Sequence, residues 1–454
     1  MTFNEDLTGH ATKLALTNFG VSGKPIPIDI VHALARIKSA MAFANSRFAT
    51  VTGIDADLAD AIMTAANEVA GGQWDEQFNI DVFQTGSGTS TNMNVNEVVA
   101  ALATRRLTDR TVHPNDHVNA SQSTNDTFPT AIRIAVVAKI RDLLLPGLAR
   151  LHDSLGGRSK AFATVVKAGR THLMDASPIT LGQEFGGYQA QIAESMERLE
   201  QTCDRVLAVP LGGTATGNGL NAPTGVADLA IEELTRTTGL ALRAAPNRFA
   251  AQGSQDALVE LSGQLRVTAV AIFKIANDIR LLASGPRTGL AEIHLPELQP
   301  GSSIMPGKVN PILCEVVTQV AAQVIGNDTA IGFAGTQGAL ELNAYLPVIA
   351  VNLLDSINLL GRSASDFATR CVDGIEADVE RCRTFAEMSP AIATALNLVL
   401  GYDAATSIVE QALASNRTIR AVVLERGLLG TEQIDAILDI DAMAAGSHQP
   451  ESGV

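Results

Sequence analysis

An all-α architecture is what this sequence predicts, and three observations carry the prediction. Aromatic residues make up only 4% of the chain while Ala and Leu recur throughout, a balance that favours helix over sheet. Apolar residues return at steps of three and four over unusually long stretches. Polar chemistry is concentrated in a few segments that interrupt those stretches. With 454 residues and 46% hydrophobic content, there is material for two or three structural units around a large core.

Each element follows from its own pattern. From Asp29, the residues Ile30, Leu34, Ile37, Met41 and Ala44 form the stripe of an amphipathic helix. A second helix runs through "LADAIMTAANEVAGG" and stops at its glycine pair. "FQTGSGTSTNMNVNEVV" and "RTVHPNDHVNASQSTNDTFPT" are loops that feed helices. Phe185, Tyr188, Ile192, Met196, Leu199, Cys203 and Val206 make a near-heptad seam before Pro210, which requires a partner along its whole length. "ALVELSGQLRVTAVAIFKIANDIRLLASG" is apolar on more than one face, as suits a bundle centre or a subunit interface. "ALELNAYLPVIAVNLLDSINLLG" is another long helix, with a kink predicted at Pro347. Beyond about residue 375 the helices shorten, one of them capped by Thr431, and the chain closes on the polar "SHQPESGV". The division is an N-terminal helical domain (1–122), a long-helix bundle (123–375) and a small C-terminal helical domain (376–454).

Composition excludes several classes. A formal charge of -15 disfavours nucleic acid, whose phosphates demand clustered Lys and Arg. An anionic ligand would need a locally positive pocket built from a few cations and helix N-termini. Cys203, Cys314, Cys371 and Cys382 lack CxxC spacing, so reduced thiols are expected rather than a zinc ribbon or disulfide framework. The start "MTFNEDLTGH" has no basic or apolar leader pattern, and no run of about 20 apolar residues could span a bilayer. A cytoplasmic protein without membrane association is expected.

Three polar loops, 85–127, 169–178 and 301–315, are expected to converge on one site. "GSSIMPGKVN" at 301–310 combines two hydroxyls, two glycines, a proline and one lysine. It misses the phosphate-loop motif, because its second glycine comes one place late and Val309 follows the lysine. "GNGLNA" at 217–222 matches a dinucleotide fingerprint but lacks the strand context that motif needs. His113 and His117 stand four apart, yet Pro114, Asn115 and Asp116 place them in a turn; a structural or anion-contacting role for His113 is favoured over metal binding. His172 and Glu315 supply the imidazole and carboxylate that general acid-base work requires.

"GSSIMPGKVNP" resembles the signature of the fumarase/aspartase superfamily. "TGSGTSTNMNVNE", "HPNDHVNASQSTNDTFPTA", "GRTHLMDASPITLGQEF" and "GGTATGNGLN" are similar to the other blocks of class II fumarases in their expected order. The resemblance covers about residue 15 to about residue 440. It implies a three-domain fold whose central helices form a 20-helix core in a homotetramer, each active site being assembled from three subunits. It implies reversible hydration of fumarate to L-malate, a step of the tricarboxylic acid cycle, through an aci-carboxylate, with no cofactor or metal.

By the same resemblance Ser302 is the carbon base. Lys308 and Asn310 stabilise the doubly charged carboxyl group, and His172, oriented by Glu315, serves the oxygen side. Ser87, Gly88, Thr89, Ser123, Thr124, Asn125, Thr171 and Ser303 match the groups that grip the two carboxylates. Arg110, His113, Asn115 and Asp116 match a second dicarboxylate site. The alternatives are aspartase, or a catalytically silent helical tetramer of the kind found among lens crystallins. "MPGKVN" and "HPND" favour fumarase, whereas Thr124 leans towards aspartase. Leu14 stands where class II fumarases carry an arginine, so a trimmed N-terminal domain is expected.

Overall fold

The computed structural model describes residues 6–446, so the first five residues and the polar "SHQPESGV" lie outside the described residues. The chain divides into two compact units, one of residues 1–147, 195–270 and 320–362, the other of residues 148–194, 271–319 and 363–454. The long helices Leu181–Val206, Asp256–Leu282, Ile312–Gly335 and Leu346–Arg370 contribute residues to both. The predicted all-α class is the observed one, with short strands added.

In the first unit the helix Ile28–Ser46 is central, because its apolar stripe is wide. Ile30, Leu34, Ile37, Met41 and Ala44 are all buried, each apolar side chain of Leu or Ile size contributing roughly 1.5–3 kcal/mol. It packs against Ala56–Ala70, Thr124–Lys139 and Val226–Thr238. Asp55 caps Ala56–Ala70 by accepting the Leu58 N–H at 2.9 Å, and Gly71 ends that helix as its pattern predicts.

The heptad seam of Leu181–Val206 is buried at Phe185, Tyr188, Ile192, Leu199, Cys203 and Val206. Two helices carry apolar side chains that stay exposed in the single chain: Val267, Val270 and Phe273 on Asp256–Leu282, and Val316, Ile325 and Phe333 on Ile312–Gly335.

Three local expectations are corrected. Pro347 does not kink a long helix: the helix starts at Leu346, so Pro347 occupies the first turn, where no N–H is needed, and the residues before it form the small pair Gly338–Ala339 and Leu342–Asn343. Thr431 is the first residue of Thr431–Ile437 rather than its cap; Gly430 precedes it, and Gln433 Oε1 accepts the Gly430 N–H. The segment 169–178 is not a loop but most of a hairpin, Val166–Thr171 paired antiparallel with Met174–Thr180.

That hairpin anchors the second unit. His172 and Leu173, with φ of 55° and 61°, form its two-residue turn, a backbone twist that suits antiparallel strands. The helix Val379–Met388 packs on one strand and Ile440–Ala444 on the other. Val166 joins a core with Ile392, Leu396, Ile408, Val422 and Ile434 from the short C-terminal helices. Behind the turn, Arg170 makes two 2.9 Å bonds to the fully buried Glu292, and Lys167 lies 3.3 Å from the same carboxylate.

Candidate active site

The first unit builds a polar cavity of about 420 Å³ from segments that the sequence marks as rich in Asn, Ser and Thr. It is lined by Thr89, Asn92, Met93, Asn119, Ser121, Gln122, Ser123, Thr124, Asn125, Thr214, Ala215, Leu220 and Asn221. Two helices, Thr89–Thr104 and Thr124–Lys139, begin on its wall. Their N-termini supply the local positive potential that an acidic protein needs to hold an anion.

Backbone demands explain how these ends are held. Gly88 has φ of 83° and a β-carbon there would lie 2.3 Å from the Phe128 ring, so only glycine fits between Ser87 and Thr89. The Ser87 and Thr89 hydroxyls are then 2.8 Å apart. Ser123 caps the second helix: its Oγ accepts the Asn125 N–H at 3.2 Å, while Asp126 Oδ1 accepts the Ser123 N–H at 3.0 Å. The other Asp126 oxygen accepts the N–H groups of Gly212 and Thr214 at 2.9 and 3.0 Å. Asn125 Nδ2 donates to Ala215 O at 2.8 Å, tying the 211–222 segment to the same wall. Thus "GNGLNA" serves the cavity through Leu220 and Asn221 and holds no nucleotide-binding strand turn.

The second unit presents a different set. In the 301–310 segment the Gly301 N–H donates to Lys308 O at 2.9 Å and Asn310 Nδ2 donates to Gly301 O at 2.7 Å, closing the loop on itself. A β-carbon at Gly301 would stand 2.0 Å from Lys308 O, which explains that glycine. Inside the loop, the N–H groups of Ile304 and Met305 both point at Ser302 Oγ, at 3.2 and 3.0 Å. Two donors on one hydroxyl oxygen favour its deprotonated form. Ser303 and Lys308 are exposed, and the Lys308 ammonium has no acidic partner among the described residues.

His172 sits exposed at the tip of the hairpin, with Thr171 one residue before it. Glu315 is exposed in the first turn of Ile312–Gly335. Within the one chain, no hydrogen bond or ion pair joins His172 to Glu315.

The third cluster is already compensated internally. Arg110 donates to Asp55 at 2.6 Å, and the Leu58 N–H together with Arg110 holds the Asp55 carboxyl below its usual range. Pro114–Val118 forms one helical turn that His113 caps, its Nδ1 accepting the Asp116 N–H at 3.0 Å. His117 Nδ1 accepts the His113 N–H at 2.9 Å, so both imidazoles use Nδ1 to accept a backbone N–H. Burial pushes His117 downward, and Asn115 is exposed beside them.

Sequence reasoning missed Asn92, Asn119, Gln122, Thr214 and Asn221 on the cavity wall. For Asn92, Asn119 and Gln122 the available signal was the density of amide side chains within 85–127, read as loop composition when Asn92 belongs to the helix Thr89–Thr104.

A family model described as Lyase matches residues 4–326, and another, Fumarase C C-terminus, matches residues 392–445. Fumarate hydratase class II of Corynebacterium glutamicum is 51% identical over 439 residues, covering 95% of this chain and 92% of that one. Its counterpart in Mycobacterium tuberculosis is 52% identical over 438 residues, covering 95% and 91%. The crystal structure of recombinant class II fumarase from Schistosoma mansoni aligns with a TM-score of 0.95 at 38% identity, covering 98% of this chain and 97% of that one. The helical fold and these matches define a helical lyase. The chain belongs to the class II fumarate hydratase family.

Proposed function

We propose that the chain catalyses the reversible hydration of fumarate to L-malate by anti elimination and addition. In the dehydration direction Ser302, as its alkoxide, takes a proton from the carbon next to a carboxylate. The electron pair moves into that carboxyl group, giving an aci-carboxylate with two negative charges, which Lys308 and Asn310 stabilise more strongly than they do the substrate. The carbon-oxygen bond then breaks, and the hydroxyl leaves as water with a proton supplied on the side served by His172. Glu315 orients that imidazole in the assembled enzyme. Ser87, Gly88, Thr89, Ser123, Thr124, Asn125, Thr171 and Ser303 hold the two carboxylates, and Arg110, His113, Asn115 and Asp116 form an accessory dicarboxylate site. No metal or organic cofactor takes part in these steps.

The observation that carries this reading is the convergence of the Ile304 and Met305 N–H groups on Ser302 Oγ, in a loop that also carries Lys308, which has no acidic partner among the described residues. A serine is a poor base at its ordinary pKa, and such donors lower the cost of its alkoxide. The working form is a homotetramer with each site drawn from three subunits. The exposed Val267, Val270, Phe273, Val316, Ile325 and Phe333 support this, because a single chain leaves them in water. We retain the division at 1–122, 123–375 and 376–454 and a cytoplasmic location; no described helix is long and apolar enough to cross a membrane.

The test is ultraviolet detection of fumarate from L-malate by purified protein in the presence of a chelator. Production of fumarate at neutral pH supports the hydratase. A silent tetrameric sample refutes it, and addition to fumarate that requires ammonium identifies an aspartase instead.

A further inference from the structure

Lys38, on the helix Ile28–Ser46, is wholly buried beneath the polar cavity of the first unit. A lysine ammonium has three donors and no acceptor, so whatever it meets must present oxygen. Its Nζ donates to Asn119 Oδ1 at 2.9 Å and to Gln122 Oε1 at 3.0 Å, and both residues line the cavity. The orientation of both amides is thereby dictated from below. Asn119 Oδ1 also accepts from Asn92 Nδ2 at 3.3 Å, and the same Asn92 Nδ2 donates to Thr124 Oγ1 at 3.0 Å. With its oxygen engaged as an acceptor, the Thr124 hydroxyl has its hydrogen free to donate into the cavity.

We propose that Lys38 is a positioning residue for dicarboxylate binding. Through Asn119, Gln122 and Asn92 it fixes the direction in which the cavity's hydroxyl and amide groups donate, and it adds a buried positive charge behind the subsite that receives a substrate carboxylate. The proposal rests on reading the segment around Thr124 as the carboxylate grip.

The surroundings of Lys38 give it a second consequence. Among the described residues, Asp126 on Thr124–Lys139 is the group whose charge is felt at Lys38; Ala56–Ala70, Thr89–Thr104, Val226–Thr238 and the turn Pro114–Val118 also pack on the Lys38 helix, and none of their ionisable side chains, His117 included, acts on it. Asp126 is itself raised by burial and is answered by three backbone N–H groups. Burial pushes the Lys38 ammonium down to about 7, with Asp126 opposing. Its charge is therefore lost as pH rises through neutrality. A bound dianion favours the charged form, so binding and protonation reinforce each other.

The experiment measures the binding of succinate, a dicarboxylate that cannot be dehydrated, to the full chain by calorimetry in buffers of differing ionisation enthalpy, from about pH 6 to about pH 9. Wild-type protein is expected to take up protons on binding near neutrality and to bind more weakly as pH rises. Lys38→Met is expected to bind succinate at least about tenfold more weakly at the acidic end, with a flatter pH profile and less proton uptake. Its KM for L-malate should rise while kcat changes by less than about threefold. Lys38→Arg, which keeps its charge throughout, should restore affinity at the acidic end and abolish the weakening at the alkaline end.

Binding by Lys38→Met within about twofold of wild type, with an unchanged pH profile, overturns the proposal. If neither variant assembles, absence of proton uptake in the wild type overturns it equally. Thr124→Ala separates the two readings. Undiminished succinate binding in that variant rejects the carboxylate grip itself, whereas weakened binding there beside normal binding in Lys38→Met rejects only the role of Lys38.

Discussion

Arg170 and Glu292 form a bidentate pair, both bonds 2.9 Å long, two residues before the hairpin turn that carries His172. Glu292 has no exposed surface and also faces Lys167, so one carboxylate compensates two cations. Glu292→Ala leaves both without it. The expected loss is about 3–5 kcal/mol of stability. Thermal denaturation should show a clear drop in Tm, and kcat should fall with it as the hairpin tip loses its support. A variant with unchanged Tm would mean that the pair is not what holds the turn.

Gly88 separates the Ser87 and Thr89 hydroxyls at a φ of 83° and lies against Phe128. Gly88→Ala combines left-handed strain with overpacking, a cost of about 1–3 kcal/mol from each source. We expect KM for L-malate to rise and Tm to fall together. Steady-state kinetics beside a melting curve checks this.

The helices were legible in the sequence because their periodicity is long and their apolar stripes are wide. Ile30, Leu34, Ile37, Met41 and Ala44 needed no structure to be placed in a core. The hairpin at 166–180 was not legible: only one of the seven residues in its strand Met174–Thr180 is buried, so alternation of apolar and polar residues never develops. Pro347 misled because the same residue can kink a helix or start one, and only the position of the first helical turn distinguishes the two. The proposed site residues come from the family resemblance, since no pattern of their own marks them. Asn92, Asn119 and Gln122 were not legible, because their part depends on partners far away in the chain, among them Lys38, 81 positions before Asn119.

Lys38 also makes a stability prediction with a definite sign. Its folded pKa, about 7, lies below its ordinary value of 10.5. The unfolded chain therefore binds the extra proton across that window, and stability rises as pH increases through it. Below neutrality the full penalty applies, on the order of 5 kcal/mol. Replacing Lys38 with Met should thus raise Tm relative to wild type most at the acidic end, with the difference shrinking towards the alkaline end. Melting curves across pH for the two proteins measure it, and a difference independent of pH contradicts it.

All four cysteines are buried and unpaired. Burial pushes the Cys203 and Cys382 thiols up to about 12, and hydrogen bonding to Cys371 together with burial raises Cys314 further. A thiol-specific reagent should label the native protein slowly at neutral pH and all four thiols rapidly after denaturation. Fast native labelling would show that one of these thiols is accessible.

Proton abstraction at carbon by the loop serine is the claim on which the reaction depends. Turnover of L-malate by Ser302→Ala, compared with wild type in samples of matched size on gel filtration, tests it most directly. The account predicts a fall in kcat of about a thousandfold or more with assembly preserved. Near-normal turnover in a correctly assembled variant would contradict it and move the base elsewhere.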